Sequence, residues 1–172
     1  MTNPALLQAT LLFVAATALL IATVYDVAAR IVPNGVPAVV AAAGTGLNAL
    51  DGQLAAAVFG SGLVFAVIWQ FWRRGWLGGG DVKLLTACTL LVRPASVPEL
   101  ILTTALAGGV LALVYLGAAR LLPSTLPPRP SHRLGRIWRA EQRRIRRGLS
   151  LPYACAIAAG AVLTLYAPVG FG

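Results

Sequence analysis

Apolar residues along this chain gather into six runs, at roughly 5–27, 36–50, 54–72, 77–92, 97–119 and 151–169. A helix crossing a bilayer core needs about 20 apolar residues, so the second and fourth runs are short. Taken alone, either fits a re-entrant segment or a buried half-span. The breaks between runs carry turn chemistry: Val32-Pro33-Asn34-Gly35, Asp51-Gly52, Gly78-Gly79-Gly80 and Arg93-Pro94. Pro123, Pro127, Pro128 and Pro130 follow the fifth run. No internal repeat is visible, and the abundance of alanine reads as compositional.

The positions of the bases test the count of six. If the runs are spans, the connections alternate sides of the membrane. One set then holds Arg30, the group Arg73, Arg74 and Lys83, and nine arginines between Arg120 and Arg147. The opposite set holds only Arg93. Removing one span would scatter the bases over both faces. The positive-inside rule therefore favours six spans with both termini outside the cytoplasm. Residues 1–29 contain no Lys or Arg. The first run thus lacks the basic start of a secretory signal and reads as a retained transmembrane helix.

Composition agrees. Charged residues make up 11% of the 172 residues and hydrophobic ones 58%, against about 25% charged in soluble domains. The expectation is an all-α polytopic membrane protein, residues 1–172 forming one membrane-embedded domain. A net charge of +9 invites a nucleic-acid reading. That would need a basic face on a soluble module, or aromatics interleaved with bases, and neither is present outside one loop. Cys88 and Cys155 sit in separate apolar runs and form no metal-ligand pattern, so neither metal nor cofactor is expected. They read as buried free thiols.

The loop from 120 to 149 is the one extended polar segment. From Arg133 to Arg147 it sets Leu134, Ile137, Trp138, Ile145 and Leu149 at near-helical spacing among arginines. An amphipathic helix lying on anionic headgroups fits this pattern. A loop that only sets topology fits it as well. His132, with no partner near in sequence, reads as a solvated loop residue.

Five acids remain: Asp26, Asp51, Asp81, Glu99 and Glu141. On the six-span topology Asp26 and Asp81 both lie at the cytoplasmic boundary, Asp51 and Glu99 lie opposite, and Glu141 sits in the arginine loop. Each of the first two has a local structural reading. Asp81 precedes an apolar helix as an N-cap would, and Asp26 stands at i,i+4 spacing from Arg30. Jointly they supply what an aspartyl dyad requires. Two close carboxylates share one proton; the ionised one activates water while the protonated one polarises a carbonyl. Glycines 78 to 80 let a substrate backbone approach Asp81, or serve as a flexible turn into the helix. Lys83 pairs with a carboxylate or snorkels to the interface, the second reading being slightly favoured.

Gly78-Gly79-Gly80-Asp81-Val82-Lys83-Leu84 resembles the GxGDxKL motif of type IV prepilin peptidases, which are intramembrane aspartyl proteases. Asp26 followed by Arg30-Ile31-Val32-Pro33-Asn34 is similar to that family's first aspartate segment, and Leu151-Pro152-Tyr153 with Gly160 to its closing helix. The resemblance covers nearly the whole chain. It implies that Asp26 and Asp81 are catalytic, with Gly78, Gly80, Lys83, Pro33 and Asn34 framing the substrate's approach. It further implies removal of leaders from prepilin or pilin-like precursors at the cytoplasmic face of the cell membrane. Residues 27–36 join the first two spans directly, without the cysteine-bearing segment of the longer methylating members. The chain therefore looks like a peptidase-only form, similar to those of tight-adherence (Flp) pilus systems. Two rival expectations stand beside it: a small transporter or channel using Asp26 and Asp81 as ion sites, and a non-catalytic pilus-assembly subunit.

Overall fold

A computed structural model of the protein describes residues 3–122, 132–146, 148 and 151–166. The described residues form helices and turns only: α1 Pro4–Ala29, α2 Gly35–Leu50, α3 Leu54–Arg73, α4 Gly79–Leu91, α5 Val97–Leu121, α6 Arg133–Arg146 and α7 Tyr153–Tyr166, with a short 3-10 turn at Pro94–Ser96. Six of these lie in the six apolar runs, and α6 lies in the basic loop. The prolines at 123, 127, 128 and 130, as well as Arg147, Leu149 and the end of the sixth run, fall outside the described residues.

Three stretches are long and apolar enough to cross a bilayer: Pro4–Ala29, Leu54–Arg73 and Pro94–Leu121. The other bundle helices are shorter, with 16 residues in α2, 13 in α4 and 14 among the described residues of α7. At 1.5 Å per residue, α4 extends only about 20 Å. It is also the most enclosed helix, with Leu84, Cys88 and Thr89 wholly buried. A helix surrounded by protein need not match the thickness of the lipid.

Local chemistry sets the boundaries. Asn3 caps α1 by accepting from the Ala5 amide at 3.1 Å, and Pro4 occupies the first helical position. Arg30 ends the helix in the left-handed region (φ 58°), its amide returning to the Asp26 carbonyl at 2.9 Å. Gly52, at φ 69°, makes the turn after α2. Within the helices, Thr10, Thr17 and Thr45 each donate to the carbonyl four residues back at 2.8 Å. That hides hydroxyls that lipid could not satisfy.

The core is built from small side chains. Ala15, Ala18 and Ala22 line the inner stripe of α1, and Ala154, Ala158 and Ala161 that of α7, around Leu19, Val40, Leu84, Leu100 and Ile157. The alanine content that reads as compositional in sequence is thus partly a packing device, letting helix backbones approach as in membrane bundles generally. Gly44 and Gly160 take this furthest. A Cβ on Gly44 would sit 2.3 Å from the Leu90 carbonyl oxygen, and one on Gly160 would lie 2.7 Å from the Thr104 nitrogen. Large apolar residues face outward instead: Phe13, Phe59 and Leu113 are 70% or more exposed. An outer surface this apolar suits lipid rather than water.

The bundle has two polar ends. At one, Gln8 donates to Asp51 at 3.2 Å, and Arg93 lies 4.0 Å from the same carboxylate. At the other, the α1–α2 turn meets the start of α4, the start of α7 and helix α6.

Candidate functional site

Asp26 lies in the last turn of α1 and is buried. Its Oδ2 accepts from the Ala154 amide at 3.0 Å. Ala154 is the second residue of α7, two positions after Pro152, so Asp26 caps the start of that helix from a neighbouring one. The exposed amides of a helix start attract negative charge, and here they fix its position. The i,i+4 pair with Arg30 is not formed: the Arg30 side chain turns away to Glu141.

Asp81 is the third residue of α4 and half-buried. It is not the N-cap that the sequence suggests; Gly78 holds that position. Asp81 instead folds back toward the cap, and a Cβ on Gly78 would lie 2.9 Å from its Oδ2. A carboxylate at the third helical position that turns back on the cap has the placement of the acidic residue in a capping box. Gly78 is small here to admit a carboxylate, since its backbone (φ −70°, ψ 143°) is open to any residue. Gly80 is small for a different reason: a Cβ there would come 3.2 Å from the Val32 Cβ. The GxG spacing thus seats α4 on the α1–α2 turn and clears room for Asp81.

The fold brings Asp26 and Asp81 within electrostatic range of one another. The supporting residues gather around them. Lys83 is exposed and its Nζ donates to Asn34 Oδ1 at 2.9 Å; it does not pair with a carboxylate among the described residues. Asn34 is the N-cap residue of α2 but makes no side-chain cap bond, so its amide oxygen is free for this tie. The Pro33 carbonyl accepts from the Val36 amide at 3.0 Å, closing the turn that carries both.

Two residues gain significance that their sequence positions do not advertise. Tyr153 lies against Gly108 of α5, where a Cβ would be 2.8 Å from its ring, and it stands within electrostatic range of Asp81. Its place in the Leu-Pro-Tyr segment was the available signal. Glu141 is buried although it lies in the basic loop, and nothing in the local sequence signals that. Asp51 and Glu99 stand apart from Asp26 and Asp81, lining a cavity of about 620 Å³ at the opposite end. His132 is exposed, Cys88 buried and Cys155 only half-buried. Among the described residues no three His, Cys, Asp or Glu side chains assemble as metal ligands.

No match was found among curated proteins, and none among solved structures. The model of one family does match, over residues 13–113: the type IV leader peptidase family.

Proposed function

The chain belongs to the type IV leader peptidase family, and we propose that it is an aspartyl endopeptidase that removes the leader from prepilin or pilin-like precursors. The observation that carries this reading is the convergence of Asp26 and Asp81, from two different helices, at one end of the bundle.

Two carboxylates that close on one another share a proton more readily than both ionise. The ionised member takes a proton from water as that water attacks the scissile carbonyl. The protonated member donates to the carbonyl oxygen as charge develops there, and the proton gained from water passes to the departing amine. Asp26 is held from two sides, by its own helix and by the Ala154 amide, so it supplies a fixed reference. Asp81 rests on the glycine turn and presents its carboxyl group beside Gly78.

The reading places α1, α2, α3, α4, α5 and α7 across the cell membrane, with the dyad at the cytoplasmic face. The clustering of thirteen bases in one set of connections supports this orientation. The outward arginines of α6 would then meet anionic headgroups, with exposed Leu134 and Trp138 between them.

The test uses purified protein in proteoliposomes with a pilin-like precursor. Asp26→Asn and Asp81→Asn should each lower the cleavage rate by about 10²–10⁴-fold, the usual contribution of a general acid or base, while the protein still inserts. Robust cleavage by either variant would refute the dyad. Ion flux abolished by either variant, with no cleavage by the unmodified protein, would move the reading to transport.

A further inference from the structure

Glu141 is the only acid in the basic loop, and it is 6% exposed. A carboxylate withdrawn from water in this way needs partners, and it has three. Oε1 accepts from the Arg30 guanidinium and from the Tyr115 hydroxyl, the latter at 2.5 Å. Oε2 accepts from Arg144 Nη1 at 3.1 Å, and the same nitrogen donates to the Val27 carbonyl at 2.9 Å. One carboxylate therefore ties α6 to α1 and α5, and the tie reaches α1 at the residue following Asp26.

Arg30 is the partner that matters for the chemistry. It follows Asp26 by four residues, the spacing at which helical side chains meet. Its side chain is 14% exposed and stands within electrostatic range of both Asp26 and Asp81. Among the described residues its Nε and Nη1 have no hydrogen-bond partner, so Glu141 is what holds the guanidinium. Neither aspartate makes an ion pair among the described residues, although a partly buried cation lies within electrostatic range of both.

We propose that Glu141 is a positioning residue that sequesters Arg30, drawing its guanidinium away from the aspartates so that they remain free to share a proton. The proposal rests on the peptidase reading. Without Glu141, the carboxylates left within range of Arg30 are the dyad itself. A guanidinium fork on Asp26 would hold that group as an ion and occupy the oxygens that must take a proton from water. Helix α6 is then more than a basic surface: it delivers the counter-charge that keeps the site unpaired.

The experiment compares the unmodified protein, E141Q and the double variant R30Q/E141Q in proteoliposomes with a pilin-like precursor. Folded protein is read from the monodisperse fraction after detergent extraction. The amide introduced by E141Q keeps the shape and an acceptor oxygen for Tyr115 but offers no charge to Arg30. E141Q should lose about tenfold or more in kcat, as pairing with Arg weakens a carboxylate base, with KM little changed. R30Q/E141Q should recover most of the lost rate. If Glu141 served only to anchor α6, removing Arg30 as well would deepen the defect, so the sign of the second step decides. Unchanged cleavage by E141Q, or no recovery in the double variant, overturns the proposal. Should E141Q not accumulate as folded protein, the double variant decides alone: near-normal cleavage supports sequestration, and a folded but inactive or an unfolded double variant overturns it. Failure of the unmodified protein to cleave would instead refute the peptidase reading, a separate and distinguishable result.

Discussion

Replacing Gly78 with alanine separates the role of the GxG turn in chemistry from any role in stability. The new Cβ would stand 2.9 Å from Asp81 Oδ2, where ordinary contacts begin at 3.4 Å. The carboxyl group must therefore retreat by about 0.5 Å, and it can, because it is the end of a rotatable side chain rather than backbone. A misplacement of about 1 Å can cost about 10²-fold in rate, so half that displacement corresponds to about tenfold. Tenfold equals about 1.4 kcal/mol at the transition state. The fold should scarcely notice, because the backbone at Gly78 already has ordinary angles. Alanine is a poorer N-cap than glycine, which costs about 1 kcal/mol or less. For a chain of this size that is about 2–4 °C in an apparent melting temperature. The assay pairs cleavage of a pilin-like precursor with thermal unfolding in detergent. Gly78→Ala should lose about tenfold in kcat, by the same misplacement argument, and melt within a few degrees of the unmodified protein. Cleavage at the unmodified rate would refute the reasoning, since Asp81 would then not need the space above Gly78.

Other glycines should respond in the opposite sense. Gly160→Ala brings a Cβ 2.8 Å from the Thr104 Cα and 2.7 Å from its nitrogen. Helices α5 and α7 would have to separate, at a cost of about 1–3 kcal/mol read as a lower melting temperature. Gly60→Ala in α3 meets nothing within 4 Å and should stabilise by about 0.5–1 kcal/mol, as alanine replaces glycine within a helix. Asn48 donates to the Leu90 and Val92 carbonyls at 2.8 and 3.4 Å, covering the end of α4. Asn48→Ala should destabilise by about 1–3 kcal/mol, the cost of leaving buried acceptors unmet, while kcat, set at the other end of the bundle, changes little.

Much of the architecture is legible in the order of residues because it rests on local or one-dimensional quantities. Six apolar runs give six helices, since apolar length and turn residues act within one segment. The amphipathic spacing from Arg133 gives α6 for the same reason. The glycine motif and the aspartate before the Pro33–Asn34 turn were legible as a pair of candidates because the spacing within each motif is itself local.

Partner choice was not legible, because several candidates satisfied the same sequence rule. Arg30 had Asp26 at helical spacing, yet a buried carboxylate 111 residues away outcompetes it. Lys83 had a carboxylate as one expected partner and donates instead to the side chain of Asn34. Asp81 lay where an N-cap would, but the helix begins at Gly79 and leaves it in the first turn. Glycines at 78 and 80 looked equivalent, yet one makes room for a carboxyl group and the other for Val32.

The order of helices, the one-sided distribution of positive charge and the two aspartates worth considering follow from the order of residues alone. Which polar groups meet depends on how the helices pack. Helix formation and membrane partition are sums over neighbouring residues, whereas the pairing of a buried charge depends on which helix backbones can approach. Here alanines and glycines on α1, α2 and α7 set that approach, and with it the arrangement in which, among the described residues, neither Asp26 nor Asp81 has an ion-pair partner while Arg30 is held by Glu141.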